Sequence, residues 1–243
     1  MILMYHNVDD KSGFNTVSAE NFKKQLSFLK QNWHITDLNS YILNKNVGNN
    51  IATITFDDAY SNIYTHVLPI IQKLNIPISV FVPALYVNQY NTWDSHLPGF
   101  KKISILDWQT LSKLSENSLF TFGSHGLKHT SFRYLSEIET IKELKESKLI
   151  IEENLKKRVK YFAFPYGQRK DLGFATAELL RNCDYEAALT TLWGRKNKTE
   201  NQYFLRRVEV KPDDSIEDFK HYISTKIDLR LVKQKIKDFI AIR

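Results

Sequence analysis

The sequence predicts an α/β fold with a mainly parallel sheet. Three observations carry this expectation. Short β-branched or aromatic runs alternate with segments of helical periodicity about seven or eight times, the pattern of successive strand–helix units. Several of those runs, such as Ile78 to Val82, are apolar but for one small residue, as buried strands can be. Four of them end in unusual polar residues: Tyr5-His6, Asp57-Asp58, His125 with His129, and Pro165-Tyr166-Gly167. In parallel α/β architectures the strand ends are where chemistry collects.

The elements follow in order. Ile2 to Tyr5 is a candidate first strand, and Ser18 caps a helix whose inner face carries Phe22, Leu26, Phe28 and Leu29. Trp33, His34 and Ile35 form a short element, and Lys45 to Asn50 is a polar loop. Ile51 to Tyr60, IATITFDDAY, is a strand that stops at two carboxylates, because Asp is a poor strand residue. A helix follows to Leu74, with Pro69 inside it as a kink. After the strand Ile78 to Val82, Pro83 to Lys102 is irregular, aromatic and long enough to act as a lid or substrate wall. Leu106 to Leu114 is helical with Asp107 as its cap, Leu119 to Gly123 a strand, and Leu135 to Leu155 a long Lys/Glu-rich helix. Tyr161 to Phe164 is a strand, Phe174 to Arg181 a helix, and Tyr185 to Thr190 and Phe204 to Val210 are strands. Helices over Ser215 to Ser224 and Asp228 to Ile242 complete the chain.

A chain of 243 residues can bury one sizeable core, and a single domain over 1–243 is expected, with the helices of 214–242 packed on it. Hydrophobic content of 42% and charged content of 25% are those of a globular protein. No apolar run is long enough to span a bilayer. The first residues carry no basic leader, so a cytoplasmic location is expected. Cys183 is the sole cysteine, which excludes an intrachain disulfide and a cysteine zinc cage. The net charge of +7 is spread along the chain without a basic stripe, so a nucleic-acid partner is not expected. The basic last helix could lie on a membrane, which would place the protein at the inner membrane surface; packing of its apolar side on the domain is the commoner arrangement.

Two adjacent carboxylates repel, and both stay ionised only beside a cation. His125 and His129 are four apart, so on a helical turn both imidazoles project from the same side. With Asp58 they make a His₂Asp set, a common way to hold a catalytic divalent metal with positions open for water. The chemistry this permits is metal-assisted hydrolysis, with Asp57 free to take a proton from water and His6 a candidate acid for the leaving group.

IATITFDDAY, FTFGSHGLKHTSF and YFAFPYG, in this order and spacing, resemble the polysaccharide deacetylases, carbohydrate esterase family 4. The resemblance covers about residues 1 to 210, a count read from where these motifs and the later strand fall. It implies a distorted, incomplete (β/α) barrel of about seven parallel strands. It implies metal-dependent removal of acetyl from an N-acetylated sugar, with Asp57 as base and Asp58, His125 and His129 around a divalent metal, usually Zn²⁺. Tyr166, after Pro165, matches the position whose backbone N–H stabilises the oxyanion. Met4-Tyr5-His6-Asn7-Val8 resembles a subgroup, the biofilm poly-N-acetylglucosamine deacetylases, in which an N-terminal His is the acid. Two departures stand out. Ala59 replaces the Gly of the usual Asp-Asp-Gly, and Ala163 stands where an Arg normally supports the base.

Arg207 is the candidate replacement for that Arg, although strand alternation says only that one of Arg206 and Arg207 faces inward. Trp93, in the long loop, is the candidate substrate wall. The expected partner is an N-acetylated or lipid-linked saccharide in surface-glycan assembly, and the oligomeric state is not legible. Two alternatives are a non-catalytic glycan-binding relative and an ester or cyclic-amide hydrolase on the same metal.

Overall fold

The computed structural model describes residues 1–44, 50–197, 202–224, 232 and 234. Its strands are β1 (Ile2–Tyr5), β2 (Asn7–Asp9), β3 (Thr16–Ser18), β4 (His34–Ile35), β5 (Ile51–Phe56), β6 (Ile78–Val82), β7 (Phe120–Ser124), β8 (Tyr161–Ala163), β9 (Ala187–Trp193) and β10 (Leu205–Glu209). The α-helices are α1 (Ala19–Asn32), α2 (Leu38–Asn44), α3 (Leu68–Leu74), α4 (Trp108–Ser115), α5 (Glu137–Leu155), α6 (Ala177–Asn182) and α7 (Ile216–Ser224).

Seven parallel strands run in the order β1-β10-β9-β8-β7-β6-β5, and β1 pairs with β5 to close the ring. The α/β barrel expected from the sequence is present, with one strand fewer than the eightfold form. β4 extends the β5 edge below the point where β1 takes over, and β2 pairs with β3 as a small separate ribbon.

Strand alternation divides the core in two. Leu3, Tyr5, Ile54, Phe56, Val80, Phe122, Phe162 and Val208 point outward into the layer covered by the helices. Ile2, Phe81, Tyr161, Ala163, Ala187, Leu189 and Leu205 gather in a second cluster inside the ring, and Leu38, Tyr41 and Ile42 of α2 pack against it. The α2 helix has no counterpart in the sequence reading, because its seven residues, LNSYILN, show less than two turns of pattern.

Gly123 is what lets Phe81 fill the barrel. A Cβ there would lie 2.5 Å from the Phe81 ring and 2.8 Å from the Tyr161 carbonyl oxygen. Gly123→Ala is expected to cost about 1–3 kcal/mol by overpacking. The check is a lower urea midpoint at unchanged denaturant slope.

Both expected helix caps are present: the Ser18 and Asp107 side chains accept from Asn21 N and Thr110 N. Pro69 does not kink an α-helix. It sits at the start of α3, where a π-helical turn over Ile63–Val67 gives way to α-helix and a missing N–H costs least. The strand expected at Tyr185 to Thr190 begins two residues later and runs to Trp193. The expected loop at Lys45 to Asn50 and the expected helix at Asp228 to Ile242 lie almost wholly outside the described residues. Gln234 is buried, and its Nε2 donates to Gln168 Oε1 at 3.4 Å. No helix among the described residues is long and apolar enough to cross a membrane.

A candidate metal centre at the strand ends

The carboxyl ends of the barrel strands bring the polar residues together. β1 and β5 are in register with Tyr5 opposite Phe56, and Asp57 N donates to Tyr5 O at 3.0 Å. His6 and Asp57 therefore leave neighbouring strands side by side. The chain then turns sharply: Asp58 and Ala59 both have positive φ, 70° and 53°. That backbone favours glycine, which accounts for the Gly of the usual motif, and the alanine occupies it under strain of about 1–2 kcal/mol. His129 and Tyr166 also have positive φ, 50° and 60°. Strain of this kind concentrates at functional sites.

Asp57 is 1% exposed and is gripped by Arg207 through two parallel bonds, Nη1 to Oδ1 and Nη2 to Oδ2, each 2.7 Å. Arg207 is itself held by the Thr190 carbonyl at 2.8 Å and the Thr55 hydroxyl at 3.2 Å. The two-residue advance from Leu205 to Arg207 on β10 spans Leu189 to Trp193 on β9. That irregularity places the Thr190 carbonyl under the guanidinium. Arg206 points elsewhere, donating to Trp193 O at 2.9 Å. Burial pushes the Asp57 carboxyl up, but the Arg207 charge and hydrogen bonds, together with His125 and His6, hold the group below its ordinary value. Ala163 faces the same interior, so a small residue on β8 and a long one on β10 share one volume.

Beside this pair, Asp58 Oδ1 lies 3.5 Å from His125 Nε2 and 3.2 Å from His129 Nε2, all three residues being buried. His125 Nδ1 is 2.8 Å from the Ala163 carbonyl, an oxygen that can only accept, so Nδ1 carries the proton. Burial pushes the His125 imidazole down to about 4, against the pull of the Asp57 carboxylate. At neutral pH its Nε2 is therefore a bare lone pair aimed at a carboxylate oxygen. Asp58 Oδ1 is buried without a hydrogen-bond donor among the described residues. Lone pairs meeting at these distances require a cation between them. Ligands at about 2.0–2.1 Å around a tetrahedral zinc-type ion are about 3.3 Å apart, so the donor set fits such an ion.

The spacing of the two histidines predicted their shared direction for the wrong reason. Residues 125–131 form a loop instead of a helical turn. Positive φ at Gly126 (79°) and His129 (50°) reverses the chain so that both rings converge. His129 Nδ1 is buried with no hydrogen-bond partner among the described residues, and the ring is oriented by stacking on Trp93, centroids 4.2 Å apart at 18°. Trp93 is thus a wall of the metal pocket with one face occupied. Tyr166, 40% exposed, meets the other side of the His129 ring edge-on at 5.1 Å, and Pro165 is buried beneath the loop near Gly126.

Sequence reasoning missed two contributors. Thr55 and Thr190 look like ordinary strand threonines, and only their hydrogen bonds to Arg207 reveal a role. Asp94, 5% exposed, is pushed up by burial and by the Asp58 charge, which places its carboxyl near the centre.

A family model described as polysaccharide deacetylase matches residues 44–188. A Staphylococcus epidermidis poly-β-1,6-N-acetyl-D-glucosamine N-deacetylase is 24% identical over 198 residues, 70% of this chain and 66% of that one. This chain thus spans just under two thirds of that relative. Two solved structures share the fold. One is the Streptococcus pyogenes deacetylase PplD in complex with acetate, with a TM-score of 0.74, 18% identity, and 92% and 97% of the two chains covered. The other is IcaB from Ammonifex degensii, with a TM-score of 0.73, 21% identity, and 93% and 97% covered.

Proposed function

The chain belongs to the polysaccharide deacetylase family, and on that premise we propose that it is a metal-dependent carbohydrate N-deacetylase. The observation that carries the reading is the meeting of three metal-competent donors, Asp58, His125 and His129, beside a carboxylate locked by a buried guanidinium. The substrate class is an N-acetylated saccharide, a reading supported by the polymer for which the Staphylococcus epidermidis relative is named. A free or lipid-linked sugar of surface-glycan assembly is the proposed form.

Asp58, His125 and His129 would hold the ion. When bound, a zinc-type cation supplies Lewis-acid polarisation of the acetyl carbonyl and makes water a stronger acid. Asp57 takes the proton as water attacks the carbonyl carbon, and Arg207 keeps that carboxylate ionised and aimed until then. By the family resemblance the Tyr166 backbone N–H would stabilise the oxygen that becomes negative. His6, half-buried at the end of β1, gives a proton to the leaving nitrogen as the C–N bond breaks, releasing acetate and the amine. This role for His6 agrees with the N-terminal Tyr-His subgroup. The Arg207–Asp57 pair answers one of the two grounds for a non-catalytic relative, the missing Arg at Ala163; the other is the identity of the acid.

The test is acetate release from N-acetylglucosamine oligomers. Stripping the metal is expected to abolish release, and zinc to restore it. His125→Ala is expected to stay inactive after zinc is added, because one of three donors is gone. Full activity in metal-free protein would sink the reading.

A further inference from the structure

Beneath the histidine loop lies a buried carboxylate that the reaction itself does not use. Glu143, on α5, is 5% exposed, and its Oε2 accepts from Leu127 N at 2.6 Å and Lys128 N at 3.2 Å. Leu127 and Lys128 are two of the three residues between His125 and His129. A Cβ on Gly126, the third, would lie 3.2 Å from the same oxygen. One turn further along α5, Ser147 Oγ is 2.7 Å from Ser124 Oγ, which in turn accepts from Gly126 N at 3.1 Å. The loop's successive N–H groups thus point at the helix, while its two imidazoles point away from it toward Asp58. Consecutive N–H groups converging on one oxygen form a concave anion-binding turn.

We propose that Glu143 is a positioning residue for the metal centre: by accepting both N–H groups it holds the loop in the one conformation that brings His125 and His129 together. The inference rests on the metal reading above. The loop has few means of its own to keep that shape, since it is irregular and strained at His129. Residues that orient ligands from behind are worth about 10–100-fold in metal affinity. Burial pushes the Glu143 carboxyl up against the pull of the two N–H groups. What the loop receives is an acceptor oxygen held at a fixed point by α5.

Three substitutions separate reach from charge. Glu143→Gln keeps an acceptor at the same reach, Glu143→Asp keeps the charge but retracts it by one methylene, and Glu143→Ala removes both. Cobalt(II) titrated into metal-stripped protein, followed by calorimetry and by its visible spectrum, gives the affinity and the coordination. Glu143→Ala and Glu143→Asp are expected to bind cobalt about 10–100-fold more weakly with an altered spectrum, and Glu143→Gln to stay near wild type. Ile151→Ala, a fully buried position two turns further along α5, is expected to lower stability and leave cobalt affinity unchanged. Wild-type affinity in folded Glu143→Ala or Glu143→Asp overturns the proposal. So does weaker binding by Glu143→Gln than by Glu143→Asp, or an equal loss in Ile151→Ala. If Glu143→Ala does not fold, the order of the Gln and Asp variants decides. A wild-type protein that binds no cobalt overturns the metal reading itself.

Discussion

Asp57→Asn is expected to lower acetate release by about 10²–10⁴-fold while the protein keeps its metal. Asn has the shape of Asp but cannot take a proton at neutral pH, so the loss falls on turnover. The metal donors Asp58, His125 and His129 are untouched, and metal content should stay near that of wild type. The substitution has a second effect. Arg207, whose side chain is fully buried, loses its anionic partner. The amide offers it one acceptor oxygen and turns an NH₂ group toward the other N–H. Breaking a buried pair from one side costs about 3–5 kcal/mol, so a lower melting temperature should accompany the lost activity. The informative measurement is kcat well below that melting temperature, with metal content determined on the same sample. Residual turnover near that of wild type would remove Asp57 from the mechanism.

Arg207→Met is expected to act on the same carboxylate from the other side. It strands Asp57 at 1% exposure and leaves the Thr190 carbonyl and Thr55 hydroxyl without their guanidinium partner, at a cost of about 3–5 kcal/mol. With the Arg207 charge and hydrogen bonds gone, burial pushes the Asp57 carboxyl up against His125 and His6 alone. The group then spends more of its time protonated, and a protonated carboxyl is no base. Turnover should fall, and what remains should rise toward higher pH. Ala163 offers a sharper version. Ala163 and Arg207 share the barrel interior, so Ala163→Arg alone should destabilise a volume already filled, whereas Arg207→Met combined with Ala163→Arg should recover part of the activity. If the double variant is no better than Arg207→Met, the two positions are not interchangeable supports for the base.

The parts of the site that were legible share a physical character. IATITFDDAY announced a strand end because an apolar β-branched run cannot absorb two carboxylates, and β5 does end at Phe56. The histidine pair was legible as a pair, but the turn that aims it was not. A helix was the simplest way to place i and i+4 together, and a loop with two positive-φ residues does it instead. Glu143 was hidden for a different reason. In EIETIKELKESKLIIEENL it is one of many charged residues on a long helix, and only the packing of α5 under the loop distinguishes it from the solvated ones.

Local pattern alone determined that this chain alternates strands and helices, that four strand ends carry unusual polar residues, and which Asp and His residues could meet as a donor set. These are properties of short segments, where side-chain period and residue type decide the outcome. Long-range placement decided the rest. Arg207 reaches Asp57 across 150 residues of chain because an irregularity between β9 and β10 turns it inward and supplies a carbonyl to hold it. Alternation could say that one of two arginines faces the barrel, but the register that chooses between them exists only once the ring has closed.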